Sequence, residues 1–420
     1  MIQQLRPITA LMLSAFFMVA GVGLAGILIP LRATAEAWST VTLGWIGASY
    51  AAAFTAGCVV VPRLVLRVGH IRVFAAMQTL LVASMLFHSL VVDPIAWALF
   101  RLMAGASVAG GYMVLESWLN ERVTNETRGM VMSAYMIVSM AAVASGQYLA
   151  PAGDPTKETL FVICALLFAA AVLPVTLTSA QSPRPITQVS IDIKGLFKAS
   201  PAAMVGAFMA GVVFSIWSYF VPVYGKMAHL SDFTIATMLA FAMLGGIIAQ
   251  FPIGRLSDQM DRRYVMAGAG LFGAALCVPA AILAPATPWV LFGFTFALGM
   301  VLFPIYALAS AHANDIAQPE DFVKISGGIL IFYGFGTTAG PLVGGPIIDA
   351  VGKGGVFMTL GVAFAVYGGY AFWRSMRREA VPADERTDYQ VITPAVQQTP
   401  ESLQLDPRIE DVPEEERLNA

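Results

Sequence analysis

The chain is written in long apolar runs separated by short polar connections. A helix needs about 20 predominantly apolar residues to cross a bilayer. Twelve runs reach that length, at residues 8–31, 41–62, 71–92, 95–118, 129–150, 159–178, 201–224, 233–253, 264–284, 288–311, 325–348 and 354–374. Their interiors hold many Gly and Pro residues, which membrane helices tolerate better than soluble ones. The pattern predicts an all-α membrane protein of twelve transmembrane helices. The first run follows Arg6 and precedes a small-residue "ATA" at 33–35, as a secretory leader would. It is nevertheless longer than the roughly 7–15 residues of a leader's apolar core, so it is expected to be a retained first helix.

The spacing of the runs divides the chain. The longest internal connection, 179–200, carries "SPRP", Lys194 and Lys198 and separates six runs from six. The expected organisation is a first half at 1–178, a linker at 179–200, a second half at 201–374 and a polar tail at 375–420. The tail ends "EDVPEEERLNA"; it is too polar to bury a core and is expected to be disordered. A shift of about 192–194 residues superposes the halves. It lays "LRVGHIR" on "DQMDRRY", Gly105 on Gly299, Asn120–Glu121 on Asn314–Asp315 and Gly146 on Gly340. Two pseudo-symmetric six-helix halves are the architecture of many secondary transporters.

Composition agrees. Apolar residues make up 58% and charged residues only 12%, against about 25% charged in ordinary soluble domains. The lipid bilayer is therefore the expected surroundings. A net charge of −2 argues against a nucleic-acid partner. Cys58, Cys164 and Cys277 lie far apart in apolar runs, a spacing that makes neither a metal site nor a disulfide framework. No nucleophile–base arrangement appears, so an enzyme is not expected, and no cofactor or metal is implied. With the N-terminus placed inside, 19 of the 24 Lys and Arg residues fall on the inner loops, helix ends and tail. That bias predicts both termini in the cytoplasm, as in a bacterial-type inner membrane.

Several motifs resemble one family. "GRLSDQMDRR", Gly254 to Arg263, resembles the signature loop of the major facilitator superfamily, written G-x-x-x-D-R/K-x-G-R/K-R/K. Gly254, Asp258, Arg262 and Arg263 match; Gln259 and Asp261 depart from it. In the first half Pro62 and Leu66 stand where Gly and Asp are expected, while "RVGHIR" keeps the basic part. "RLMAG" resembles the family's R-x-x-x-G motif, and "RVGHIRVF", "ESWLNER", "NETRG" and "GQYL" together resemble its YcaD-like branch. The resemblance implies the major facilitator fold and transport of a small-molecule substrate. It also implies a cytoplasmic gate built from Arg67, Gly69, Arg72, Gly254, Asp258, Arg262 and Arg263. With no carboxylate at Leu66, the gate is expected to be asymmetric, its first-half acidic partner lying at Glu121 or Glu126. "GTTAGPLVGG", Gly336 to Gly345, fits a pattern associated with antiporters in helix 5 but sits in helix 11. It reads as small residues that let helices approach closely.

Two charges remain inside a run. At about 100° per residue Arg101, Gly105, Val108 and Tyr112 share one stripe of the fourth helix, with Glu116 at its edge. An arginine at the middle of a span costs about 2.5–3.5 kcal/mol on insertion scales and usually faces the protein interior. Snorkelling to the outer surface or bracing against helix 1 is the structural alternative. Glu116 is the one acidic residue placed inside a span. It reads either as a proton carrier or as an inner-end carboxylate paired with Arg122 or the next loop. Gln147, Gln250 and Tyr333 join Arg101, Gly105, Tyr112 and Glu116 as candidates for lining a cavity and coupling. One arginine among aromatic and amide groups suits a small organic anion or an amphiphile. The expected function is secondary active transport by alternating access, proton-coupled, by a monomer. The alternative is a transporter-like membrane sensor or scaffold that moves nothing.

Overall fold

The computed structural model describes residues 2–123, 125–177, 200–316 and 322–377, together with Val381, Pro382, Arg386, Thr387, Tyr389, Thr399 and Pro400. Helices account for nearly all of it. They are α1 (Ile2–Ala35), α2 (Thr40–Val68), α3 (His70–Leu90), α4 (Pro94–Arg122), α5 (Asn125–Gln147) and α6 (Thr159–Thr176) in the first half. The second half holds α7 (Pro201–Met227), α8 (Asp232–Gln259), α9 (Arg262–Leu283), α10 (Pro288–Asn314), α11 (Phe322–Val351) and α12 (Gly354–Ser375). α10 is interrupted at Phe303, just before Pro304. Among the described residues, eleven of the twelve are long and apolar enough to cross a membrane.

Local chemistry sets the helix starts. Asp93 caps α4 through Ala96 N (2.9 Å), with Pro94 in the first turn. Ser231 caps α8 through Thr234 N (3.1 Å), and Asp261 caps α9 through Arg263 N (3.0 Å). Each satisfies an amide that the helix itself leaves free. Between α2 and α3 the chain turns at Gly69 with φ +86°, a conformation that L side chains rarely adopt.

The chain forms two compact units. Unit 1 takes Met1–Ile29, Ser49–Ser190 and Val396–Ala420; unit 2 takes Pro30–Ala48 and Ile191–Ala395. The hairpin between α1 and α2 thus belongs with the second unit, where Thr40 Oγ1 donates to Gly345 O (2.7 Å). The linker expected at 179–200 lies outside the described residues except for Ser200.

Within each unit the helices pair in the same way. In unit 1, α1 packs on α5, α2 on α4, and α3 on α6. In unit 2, α7 packs on α11, α8 on α10, and α9 on α12. The repeat is visible atom by atom. A Cβ on Gly105 of α4 would collide with Tyr50 O of α2, and one on Gly299 of α10 would collide with Ala242 O of α8. Gly146 of α5 meets Ala20 O of α1 in the same way, and Gly340 of α11 meets Ser215 Oγ and Val212 O of α7. Close backbone approach at small residues replaces the hydrophobic drive that lipid does not supply.

Candidate functional site

The corner where α8 ends and α9 begins holds a dense polar cluster. Arg262 opens α9 and is 1% exposed. Its Nε lies 2.6 Å from Asp315 Oδ2 and its Nη2 3.1 Å from Asp315 Oδ1, a two-pronged pair across from the end of α10. Its Nη1 reaches Ser257 Oγ (2.6 Å) and Asp258 Oδ1 (3.1 Å) on the last turn of α8. One planar guanidinium therefore joins three helix ends, which a lysine's single ammonium does not do. Beside it, Arg263 holds Asp261 through Nε and Nη2 (3.0 and 2.8 Å) and donates from Nη1 to Arg374 O at the end of α12 (3.2 Å). Burial acts upward on the Asp261 carboxyl, but the bonds and charge of Arg263 outweigh it and hold it below its ordinary 3.8.

Three residues of the tail enter this cluster. Thr387 donates from N and from Oγ1 to Asp315 Oδ1, both at 3.0 Å, and its carbonyl accepts from Arg262 Nη2. Tyr389 donates from N to Asp258 Oδ1 (3.1 Å) and from its hydroxyl to Gln250 Oε1 of α8 (2.6 Å). Its ring fills the space above Gly254. Burial pushes the phenol above its usual range, with Asp258 adding to the effect and Arg262 opposing it. Arg386 donates to Asp258 O (3.5 Å). The tail is expected to be disordered, yet these residues are held; most of the rest of it lies outside the described residues.

The corresponding corner of unit 1 is built differently. His70 opens α3 where Arg262 opens α9, is buried, and sits 3.2 Å from Ser117 Oγ of α4. Arg67 and Arg72 are exposed and form no ion pair among the described residues, and Gly69 makes the turn between them. Glu121 is exposed at the end of α4; Glu126 lies outside the described side chains.

Farther into unit 1, α4 presents its two charges. Arg101 is buried, with its guanidinium carbon 4.0 Å from the ring centre of Tyr50 on α2. Glu116 is 1% exposed and accepts from the Tyr135 hydroxyl of α5 at 3.2 Å. A second acceptor bond comes from Thr399 Oγ1 of the tail. Among the described residues Glu116 is the carboxylate that lies more than one turn inside a helix. Tyr112, one turn back, is buried as well.

The other sequence candidates are dispersed. Gly105 is turned to α2 and serves helix contact. Gln147 is half-buried at the last residue of α5. Gln250 is buried and joins the tail cluster, while Tyr333 lies 4.7 Å ring to ring from Tyr306 in an aromatic group of unit 2. Sequence reasoning missed Asp315, Ser257, Thr387, Tyr389 and Thr399 as site residues. For Asp315 a signal existed, because the repeat lays it on Glu121, one of the expected acidic partners.

Twelve helices in two units that repeat the same helix pairing are the architecture of many secondary transporters. The family model of the Major Facilitator Superfamily matches residues 11–249 and 226–405, and the chain belongs to that superfamily. It is a multi-pass integral membrane transporter, not an enzyme. It is similar to the "Uncharacterized MFS-type transporter YcaD" of Escherichia coli O139:H28, at 25% identity over 80% of this chain and 87% of the relative. The Escherichia fergusonii protein of the same name is 24% identical over the same shares. In fold it is similar to the nucleoside transporter NupG (TM-score 0.69, 15% identity, 88% of this chain and 98% of that one). It is also similar to an inward-facing bacterial homologue of the human lysosomal transporter Spinster (TM-score 0.71, 14% identity, 91% and 98%).

Proposed function

We propose that this protein is a proton-coupled secondary transporter that moves a small organic solute by alternating access, with Glu116 as the proton carrier. The observation that carries the reading is Glu116 itself: a buried carboxylate inside an apolar helix, hydrogen-bonded to a tyrosine hydroxyl. Burial favours the neutral form of a carboxylic acid, and hydrogen bonds to the anion favour the charged one. A group held between these two tendencies is suited to taking up and releasing a proton. Arg101 supplies a fixed positive charge that suits an organic anion or an amphiphile carrying an acidic group. The cluster around Arg262 acts as a gate: its buried ion pair ties three helix ends together and must part for that end of unit 2 to open.

The Lys and Arg bias supports a bacterial-type inner membrane with both termini in the cytoplasm, and a monomer suffices for the mechanism. Flux into proteoliposomes across a broad solute panel, under an imposed pH gradient, tests the proposal. Driven uptake of at least one solute is expected. Solutes that bind with no flux in any condition would support the sensor or scaffold alternative instead.

A further inference from the structure

The cluster at the α8–α9 corner is unbalanced in charge. Two carboxylates, Asp258 and Asp315, share one guanidinium, Arg262. Arg263 is engaged with Asp261 and the backbone of α12. Asp315 is 2% exposed and Asp258 38%; the buried oxygens of Asp315 need further donors, and backbone N–H groups supply strong ones to both carboxylates without adding charge. The tail provides two. The amides of Thr387 and Tyr389 go to Asp315 and Asp258 in turn, and the carbonyl of Thr387 goes to Arg262 between them. Side chains add selectivity. Thr387 gives a second bond to Asp315, and Tyr389 needs both Gln250 at its hydroxyl and a glycine beneath its ring. A Cβ at Gly254 would stand 2.5 Å from Tyr389 Cδ1.

We infer that this corner of unit 2 is a docking site for the chain's own tail residues Arg386, Thr387 and Tyr389, which latch the ends of α8, α9 and α10 together. The latch closes over the residues whose ion pair forms the gate, so the segment must leave before the α8–α9 turn can move. The inference depends neither on the identity of the solute nor on its coupling to protons.

The test uses the full chain in lipid nanodiscs. With Gly254→Cys and Tyr389→Cys, mild oxidation is expected to form a disulfide, since the ring that fills the space at Gly254 is gone while the two Thr387 bonds to Asp315 still hold the tail; the native cysteines are buried. Arg255→Cys with Tyr389→Cys, one exposed position along, is expected not to. Equal crosslinking in the two pairs, or none in either, overturns the docking. Hydrogen–deuterium exchange then reads the latch. Tyr389→Ala and Gly254→Leu, which disrupt it from opposite sides, are expected to raise exchange over residues 257–264 by about tenfold or more. Tyr389→Phe should have a smaller effect, and peptides of α7 and α11 should not change. Unchanged exchange at 257–264, or a rise spread evenly through unit 2, overturns the latch.

Discussion

Arg262 and Asp315 meet as a fork on a carboxylate, two nitrogens on two oxygens, with both side chains almost wholly buried. Removing one member of such a pair leaves a buried charge unpaired and costs about 3–5 kcal/mol, whereas replacing both by apolar groups is often neutral. Asp315→Ala is therefore expected to lower the thermal stability of the purified protein sharply. The double variant Arg262→Met, Asp315→Leu should recover much of the loss. Arg262→Lys should also be destabilising despite keeping the charge, because it cannot span Asp315, Ser257 and Asp258 together. Unfolding followed in detergent, variant by variant, measures all three.

Asp261 gives a pH prediction. Its folded carboxyl is held below the ordinary 3.8, where burial alone would have raised it, because Arg263 binds the charged form. A depressed folded value means that the contribution to stability is fully present above the unfolded value and is lost as pH falls through the lower folded value. Asp261→Asn keeps a good helix cap but loses the charge. The stability gap between the native protein and Asp261→Asn should therefore be constant from pH 7 to pH 5 and shrink only below about 3.8. A gap already closing near pH 6 would show that Asp261 is not the group responsible.

The repeat predicts matched packing defects. Gly105→Ala and Gly299→Ala each push a Cβ into a backbone carbonyl of the partnered helix. Overpacking of this kind typically costs about 1–3 kcal/mol. Gly268 and Gly293 are also helical, but a methyl added at either would have nothing within 4 Å. Alanine there should be neutral or stabilising, by up to about 1 kcal/mol, through helix propensity. Thermal stability of the four variants side by side decides the point; equal effects at all four would remove the packing role of the repeat glycines.

Most of the fold was legible because the solvent makes it so. A bilayer forces backbone groups to pair within each segment, which turns apolar length directly into helices. The repeat was legible because the same close helix approach recurs at Gly105 and Gly299 and at Gly146 and Gly340. The break at Phe303 was not, since α10 reads as one apolar run with a tolerated proline. The cluster around Arg262 was half legible: its motif pointed to Asp258, Arg262 and Arg263, while Asp315 lay a long way along the chain and showed itself only through the repeat. Thr387, Tyr389 and Thr399 gave no signal. Their bonds depend on backbone groups and single hydroxyls in a polar stretch, and neither periodicity nor hydropathy marks such contacts. Gly105 belonged to the right stripe of α4 but to the contact with α2.

The Tyr135 hydroxyl donates to Glu116, and the proposed proton coupling rests on that bond. Tyr135→Phe removes one hydrogen bond to the carboxylate and keeps the ring. A hydrogen bond to a charged group contributes about 1.5–3 kcal/mol, so this change should favour the protonated acid. The pH profile of driven uptake is expected to change, with little loss of folded protein. An unchanged pH profile would separate Tyr135 from the coupling step.

The most direct measurement compares two modes of flux in one preparation. Proteoliposomes loaded with a transported solute report exchange without a gradient, and an imposed pH gradient reports accumulation. The native protein should do both. Glu116→Gln keeps the size and hydrogen-bonding capacity of the side chain but cannot carry a proton, so it should exchange solute and fail to accumulate it. If Glu116→Gln accumulates solute under the gradient as well as the native protein does, Glu116 is not the proton carrier and the proposed coupling is wrong.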